Sequence, residues 1–436
     1  MEIEDKDDYN TFYLDIDNPI TIEIIETLKN YNKIIFCDEF NQPIIDLPSS
    51  IKYISFGKYF NQPVDNLPSN IQILHFGTNF NQPVDNLPFG LKKLVFGSKF
   101  NQPINNLPSK LKTLKLDHSF NQPIDKLPLE LKHITFSYGF NQKVDNLPSE
   151  LQMIKFSAEF NQTVDNLPSK LIFISFGHRF NQPLNNLPSL LESLQLGNNF
   201  NLSVNNLPSG LHTLIFGNDF NQSVDNLPSG LHTLIFGNNF NKSVDNLPFG
   251  LKSLTFRYYF NQPVNNLPTS LQNIVFGDKF NQSVDNLPIN IKELTFGDNF
   301  NQPVNNLPNR IETLNFGEKF NQSVDKLPIN LEQLTFGYDF NQPVNNLPAS
   351  IKNITFGVEF NQSCDNLPPN LKNITFGNKF DNSIDNLPAS VKNITLGYEF
   401  NQTVDNLPVG LESITFACGY NKPLHKLPPY VKVLKI

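Results

Sequence analysis

One string, returning every twenty residues without an insertion, decides what this chain can fold into. NQPVDNLPSNIQILHFGTNF at 61–80 and NQPVNNLPNRIETLNFGEKF at 301–320 are two of nineteen full units that run from Asn41 to Tyr420. A partial unit, NKPLHKLPPYVKVLKI, fills 421–436, and YNKIIFCDEF at 31–40 already has the phase of a second half-unit. Self-similarity at a short fixed period implies a stack in which each unit covers its neighbour's apolar edge. The 436 residues therefore read as an N-terminal cap at 1–30 and one continuous array at 31–436, against the several globular domains that length alone suggests.

Numbered from the Asn of each NQ, the apolar columns are four, seven, eleven, fourteen, sixteen and twenty; in the unit at 61–80 they are Val64, Leu67, Ile71, Leu74, Phe76 and Phe80. Columns fourteen to sixteen alternate as a half-buried strand does. A proline at column eight recurs in the full units, as at Pro68, and glycine usually follows the strand, as at Gly77 and Gly97. No stretch between these breakers is long enough for a three-turn helix. The expected fold is a repeat solenoid, a leucine-rich-repeat-like parallel β array with units of about twenty residues, containing 21 strands from the one at Tyr31 to the one at Val431.

Two polar columns have a structural reading. The Asn at column one follows the buried Phe, and an amide supplies both donors and an acceptor. Asn61, Asn81, Asn101 and Asn301 are expected in a ladder that bonds the main chain of adjacent turns, with Asp381, the exception, a weak point because it lacks the amide donors. Column five interchanges Asp125, Asp145 and Asp165 with Asn105, Asn185 and Asn205. That interchange suits turn caps better than a cation site.

Composition excludes more than it proposes. Against 33 basic residues stand 41 acidic ones, a net charge of −8 that argues against a nucleic-acid or anionic-membrane partner. The opening MEIEDKDDYN lacks the basic-then-apolar order of a secretory signal, so an intracellular protein is expected. Cys37, Cys364 and Cys418 are odd in number and far apart, as thiols of a reducing compartment are, and Cys364 stands in a core column. No HExxH, GxxxxGK or nucleophile-elbow motif occurs. His212 and His232 are equivalent residues of adjacent units without further ligands beside them, and His75 and His133 lack a nucleophile or acid partner. Neither an enzyme, nor a metal site, nor a cofactor is expected.

The string FNQPVDNLP followed by LxxLxFG closely resembles the FNIP repeat, a leucine-rich-repeat relative abundant in social amoebae and in giant viruses that infect amoebae. The resemblance covers Tyr31 to Ile436. It implies an intracellular protein, in a host-cell cytoplasm for a viral member, and for some members a ubiquitin-ligase adaptor with an F-box ahead of the repeats. Thirty residues precede the first strand here, fewer than a full F-box needs. Units in that family usually hold about twenty-two residues, so the return segment here is shortened.

The ends and the outward columns complete the expectations. Asn18 as N-cap and Pro19 as first residue suggest a helix over 19–29 that covers the open edge beside Tyr31, with TIEII as a strand the alternative. At the other end VKVLKI is an edge strand whose Lys432 and Lys435 discourage further pairing. Columns thirteen and fifteen face outward and vary. Tyr53, Ile73, Met153 and Phe173 make the first half more apolar, whereas Asn353, Thr355, Asn373 and Thr375 occupy the same columns later. Those four form the expected protein-binding face of an interaction scaffold with an unidentified protein partner. The alternatives are a structural rod built by self-association and the substrate-reading part of a ligase adaptor.

Overall fold

The computed structural model describes residues 9–15 and 17–435, so that part of the 1–30 segment, residues 1–8 and Ile16, lies outside the described residues. The chain resolves into two compact units, 1–217 and 218–436.

The first unit opens with a strand, β1 (Thr11–Leu14), a helix, α1 (Ile22–Leu28), and β2 (Lys33–Phe36). One short strand per repeat follows: β3 (Tyr53–Ser55), β4 (Ile73–His75), β5 (Lys93–Val95), β6 (Thr113–Leu116), β7 (His133–Phe136), β8 (Met153–Lys155), β9 (Phe173–Ser175), β10 (Ser193–Gln195) and β11 (Thr213–Ile215). The second unit runs from β12 (Thr233–Ile235) to β21 (Ser413–Phe416) and β22 (Lys432–Lys435). Within each unit successive strands pair in parallel with the residue twenty positions on, as Ile54 with Leu74 and Leu314 with Leu334. The end strands depart from that step: Thr11 pairs with Lys33, twenty-two residues on, and Ser413 with Lys432, nineteen on. In β22 all four side chains are exposed.

The six apolar columns form the core. In the unit beginning at Asn301, Val304, Leu307, Ile311, Leu314, Phe316 and Phe320 are all buried. The proline of column eight is a further core element in many turns, and its carbonyl accepts from the column-eleven amide, as Pro308 does from Ile311 at 3.2 Å. Fixed φ thus places the leucine before it inward and turns the chain back to the sheet.

The two phenylalanine columns set the spacing of the turns. Phe296 and Phe300 stack at 3.8 Å, and along column twenty Phe280, Phe300 and Phe320 follow one another at 6.0 Å with nearly parallel rings. Column sixteen steps by 5.6 Å from Phe296 to Phe316. Paired strands lie only about 4.8 Å apart. The ring columns thus step more widely than the strands, although main chain still joins adjacent turns at column nineteen, where the Lys319 amide donates to the Asp298 carbonyl at 2.8 Å.

Glycine at column seventeen marks the closest approach. A Cβ on Gly297 would lie 2.3 Å from the carbonyl carbon of Gly277. Where Asp117 and Ser137 replace glycine, β6 and β7 run one residue further and the Ser137 amide donates back to the Leu116 carbonyl at 3.0 Å. At Ser157 the hydroxyl is buried and donates to the Phe140 carbonyl at 2.6 Å.

The amino-terminal expectation needs correction. The helix spans Ile22–Leu28 and is capped by Thr21, whose hydroxyl accepts from the Ile24 amide; neither Asn18 nor Pro19 starts it, and the TIEII strand alternative fails with it. Nor does the helix cover the sheet edge. It forms the return between β1 and β2, anchored by Leu28, while β1 stands outside β2 as a strand that a count from Tyr31 misses. Among the described residues no helix is long and apolar enough to cross a membrane.

Candidate functional site

The four outward residues named above fall into two pairs on the sheet of the first unit. Tyr53 on β3 is the register partner of Ile73 on β4, and Met153 on β8 of Phe173 on β9. Lys93, Thr113 and His133 separate the pairs in the same column. Tyr53, Met153 and Phe173 are half-buried, but Ile73 is only 6 % exposed and belongs to the core. The expected exposed quartet is thus a trio.

Tyr53 is held on several sides. Its hydroxyl lies 3.0 Å from His75 Nδ1, its ring meets Tyr9 edge-on at 5.5 Å, and Lys33 Nζ stands 4.3 Å over it. Packing of a cation on an aromatic face fixes the ring while leaving its far edge to solvent. Phe173 has a similar neighbour, Lys155 Nζ at 5.7 Å. Reading by columns missed this cluster, because Tyr9 precedes the repeat and reaches the sheet through the longer first step. Farther along, His133 is held below the ordinary imidazole range by burial, with the charge of Lys132 adding to it.

The column-one asparagines occupy the gap that opens beyond the phenylalanines. Each Oδ1 accepts the main-chain amide of the equivalent Asn one turn on: Asn61 from Asn81 and Asn81 from Asn101 at 2.9 Å, Asn101 from Asn121 and Asn301 from Asn321 at 3.0 Å. The column-two Gln adds a second rung, as Gln322 Nε2 donates to Asn301 Oδ1 at 3.0 Å. The side chain spans a distance that the main chain alone cannot. Only an acceptor is required, so Asp381 serves as well, taking the Asn401 amide at 2.8 Å, and the expected weak point there does not follow. The ladder is partly exposed, and Asn301→Ala is expected to cost about 1 kcal/mol while Asn301→Asp costs less. Chemical denaturation of matched proteins, fitted as a repeat array, measures both; no loss on alanine substitution would remove the ladder's energetic role.

Column five lies at the exposed turn. Asp285 accepts from Asn306 Nδ2 at 3.0 Å and from the Ser283 hydroxyl at 2.8 Å. The same partners hold related carboxyls below their usual range: the serine first at Asp225 and Asp365, the asparagine first at Asp325. Among the described residues no group of three or more His, Cys, Asp or Glu side chains is placed to hold a metal ion. His212 lies in the first unit and His232 in the second. Cys364 is buried in column four, and burial, with Asp365 beside it, pushes its thiol far up.

Known proteins with the same build agree with this geometry. The model of the FNIP Repeat matches successive stretches from 40 to 419, with 160–179 left out. Over 98 % of this chain and 79 % of that one, the chain is 34 % identical to CroV588 of the giant virus CroV, described as a novel circular LRR protein, with a TM-score of 0.75. YopM from Yersinia enterocolitica WA-314 shares 19 % identity over 90 % of this chain and 92 % of its own, with a TM-score of 0.54, a likeness of fold alone. No curated protein matches the chain.

Proposed function

This chain belongs to the FNIP-repeat family, and on that premise we propose that it is a non-enzymatic protein-recognition scaffold whose contact surface is the sheet face of the first unit. The observation that supports this most is the presentation of Tyr53 on β3 and of Met153 and Phe173 on the adjacent strands β8 and β9, all in one outward column of a parallel sheet. Half-buried aromatic and thioether side chains lose little freedom when a partner covers them. The corresponding column of the second unit is polar, and there Asn373 Nδ2 donates to Asn353 and Asn393 Nδ2 to Asn373, so its side chains satisfy one another. An intracellular setting, the host cytoplasm for a viral protein, belongs to the same reading, as does a protein as the partner.

The test compares cellular pull-downs by the intact chain and by a variant combining Tyr53→Ser, Met153→Ser and Phe173→Ser, after folding and oligomeric mass have been measured for both. Loss of one reproducible partner is expected from a variant that remains folded. Equal recovery of partners by the two proteins counts against this face. Recovery of copies of the chain alone, unchanged by the substitutions, replaces it with self-association into a structural rod.

A further inference from the structure

The sheet face of the first unit has a charge opposite to that of the protein. From β2 to β9 the solvent-facing columns twelve, thirteen and fifteen contain no Asp or Glu, although acidic residues outnumber basic ones in the whole chain, 41 to 33. They hold instead Lys52, Lys92, Lys112 and Lys132 in column twelve and Lys115 and Lys155 in column fifteen. Lys92, Lys112 and Lys132 stand on consecutive turns, joined by their own main chains at 2.8 and 2.9 Å. Like charges on adjacent strands repel, so such a column destabilises the free protein.

The second unit shows how the same column is neutralised within a chain. There Lys352, Lys372 and Lys392 are also consecutive, but Glu332 and Glu412 flank them, pairing with Lys352 at 2.6 Å and with Lys392 at 2.5 Å. In the first unit the flanking residues are Gln72 and Gln152, and Lys92 Nζ donates to the neutral Gln72 Oε1 at 2.9 Å. In column ten, at the turn before the strand, Glu150 is engaged by Lys170 at 2.6 Å. Among the described residues, the counter-charge that the second unit supplies from its own strands has no equivalent on β2 to β9.

Resting on the recognition role above, we infer that the partner of this face is an acidic polypeptide segment, whose carboxylates lie over Lys92, Lys112 and Lys132 while its apolar side chains meet Tyr53, Met153 and Phe173. A polypeptide fits better than a nucleic acid. The basic side chains of these columns are lysines, with no arginine to fork onto phosphates.

Fluorescence anisotropy with the full-length chain tests this, using a labelled polyglutamate peptide as one probe and labelled oligothymidylate as the other. The peptide is expected to bind, and added salt to weaken it as exposed charges are screened. Combining Lys92→Gln, Lys112→Gln and Lys132→Gln should weaken it about tenfold or more. The control, Lys352→Gln, Lys372→Gln and Lys392→Gln, alters net charge equally and should leave affinity within about twofold. Should the first triple variant not fold, Lys112→Glu, which recreates the pairing seen beside Lys352, is read in its place. No peptide binding by the unaltered chain, equal weakening by both triples, or preference for oligothymidylate each overturns the inference. In the pull-down, a partner lost with Tyr53, Met153 and Phe173 but kept by the lysine variant preserves the recognition face and overturns the acidic partner; loss in neither variant overturns both.

Discussion

Phe300→Ala is expected to lower the unfolding free energy of the second unit by about 3–5 kcal/mol. Phe300 is fully buried and stacks with Phe296 in its own turn and with Phe280 and Phe320 on either side. Removing the ring opens a cavity between three turns at once. The turns cannot collapse into it, because their separation there is set by rings still stacked above and below. Denaturant unfolding, monitored by circular dichroism and analysed with nearest-neighbour coupling between repeats, measures the loss. Phe300→Leu should recover about half of it, since much of the volume returns. An alanine variant as stable as the parent would mean that column twenty is not the spacer described.

Gly297→Val is the second large effect, at about 1–3 kcal/mol. The new Cβ would meet main chain, the carbonyl carbon of Gly277 at 2.3 Å and its oxygen at 2.4 Å, and main chain cannot swing aside as a flexible side chain does. Relief requires a shift of both turns. A valine variant should therefore show lower stability together with faster amide exchange around 276–298, and unchanged exchange in that window would refute the close approach.

Much of the fold was legible because nineteen full copies of one pattern average out local ambiguity. A single apolar-x-x-apolar-x-Phe segment is compatible with helix or strand; repeated between Pro and Gly at a fixed step, it is compatible only with a strand. Where the pattern occurs once, reading it fails. Around Asn18 and Pro19 two favourable capping residues lay side by side, yet Thr21, which alone reaches the Ile24 amide, starts the helix. β1 escaped notice for the same reason, its spacing to β2 being twenty-two residues and its sequence unlike that of later strands.

The candidate site was legible in part. Alternation identifies column thirteen as outward, but whether a given side chain there is covered depends on its neighbours across strands, and so Ile73 proved buried. The lysine column was hidden by the arithmetic of net charge. Summing over the chain merges this basic face with the acidic residues elsewhere, and only the register places Lys92, Lys112 and Lys132 beside one another. Asp381 teaches a related point: a residue's capacity for hydrogen bonds matters less than which of its atoms the geometry uses.

Each stack and rung within the array reaches one turn forward and one turn back. Asn301 takes the amide of Asn321 and gives its own to Asn281, and no contact in that series depends on how many turns precede it. Copy number is thereby freed from the demands of folding. Unequal recombination between near-identical stretches of the gene, such as those encoding LPSGLHTLIFGN at 207–218 and 227–238, adds or removes a whole turn and restores the same neighbours at the junction. Loss of a single codon is a different event, because a one-residue slip sends the core columns of a strand to solvent. A lineage carrying such a gene can vary the length of the surface it displays far more easily than the shape of any one turn.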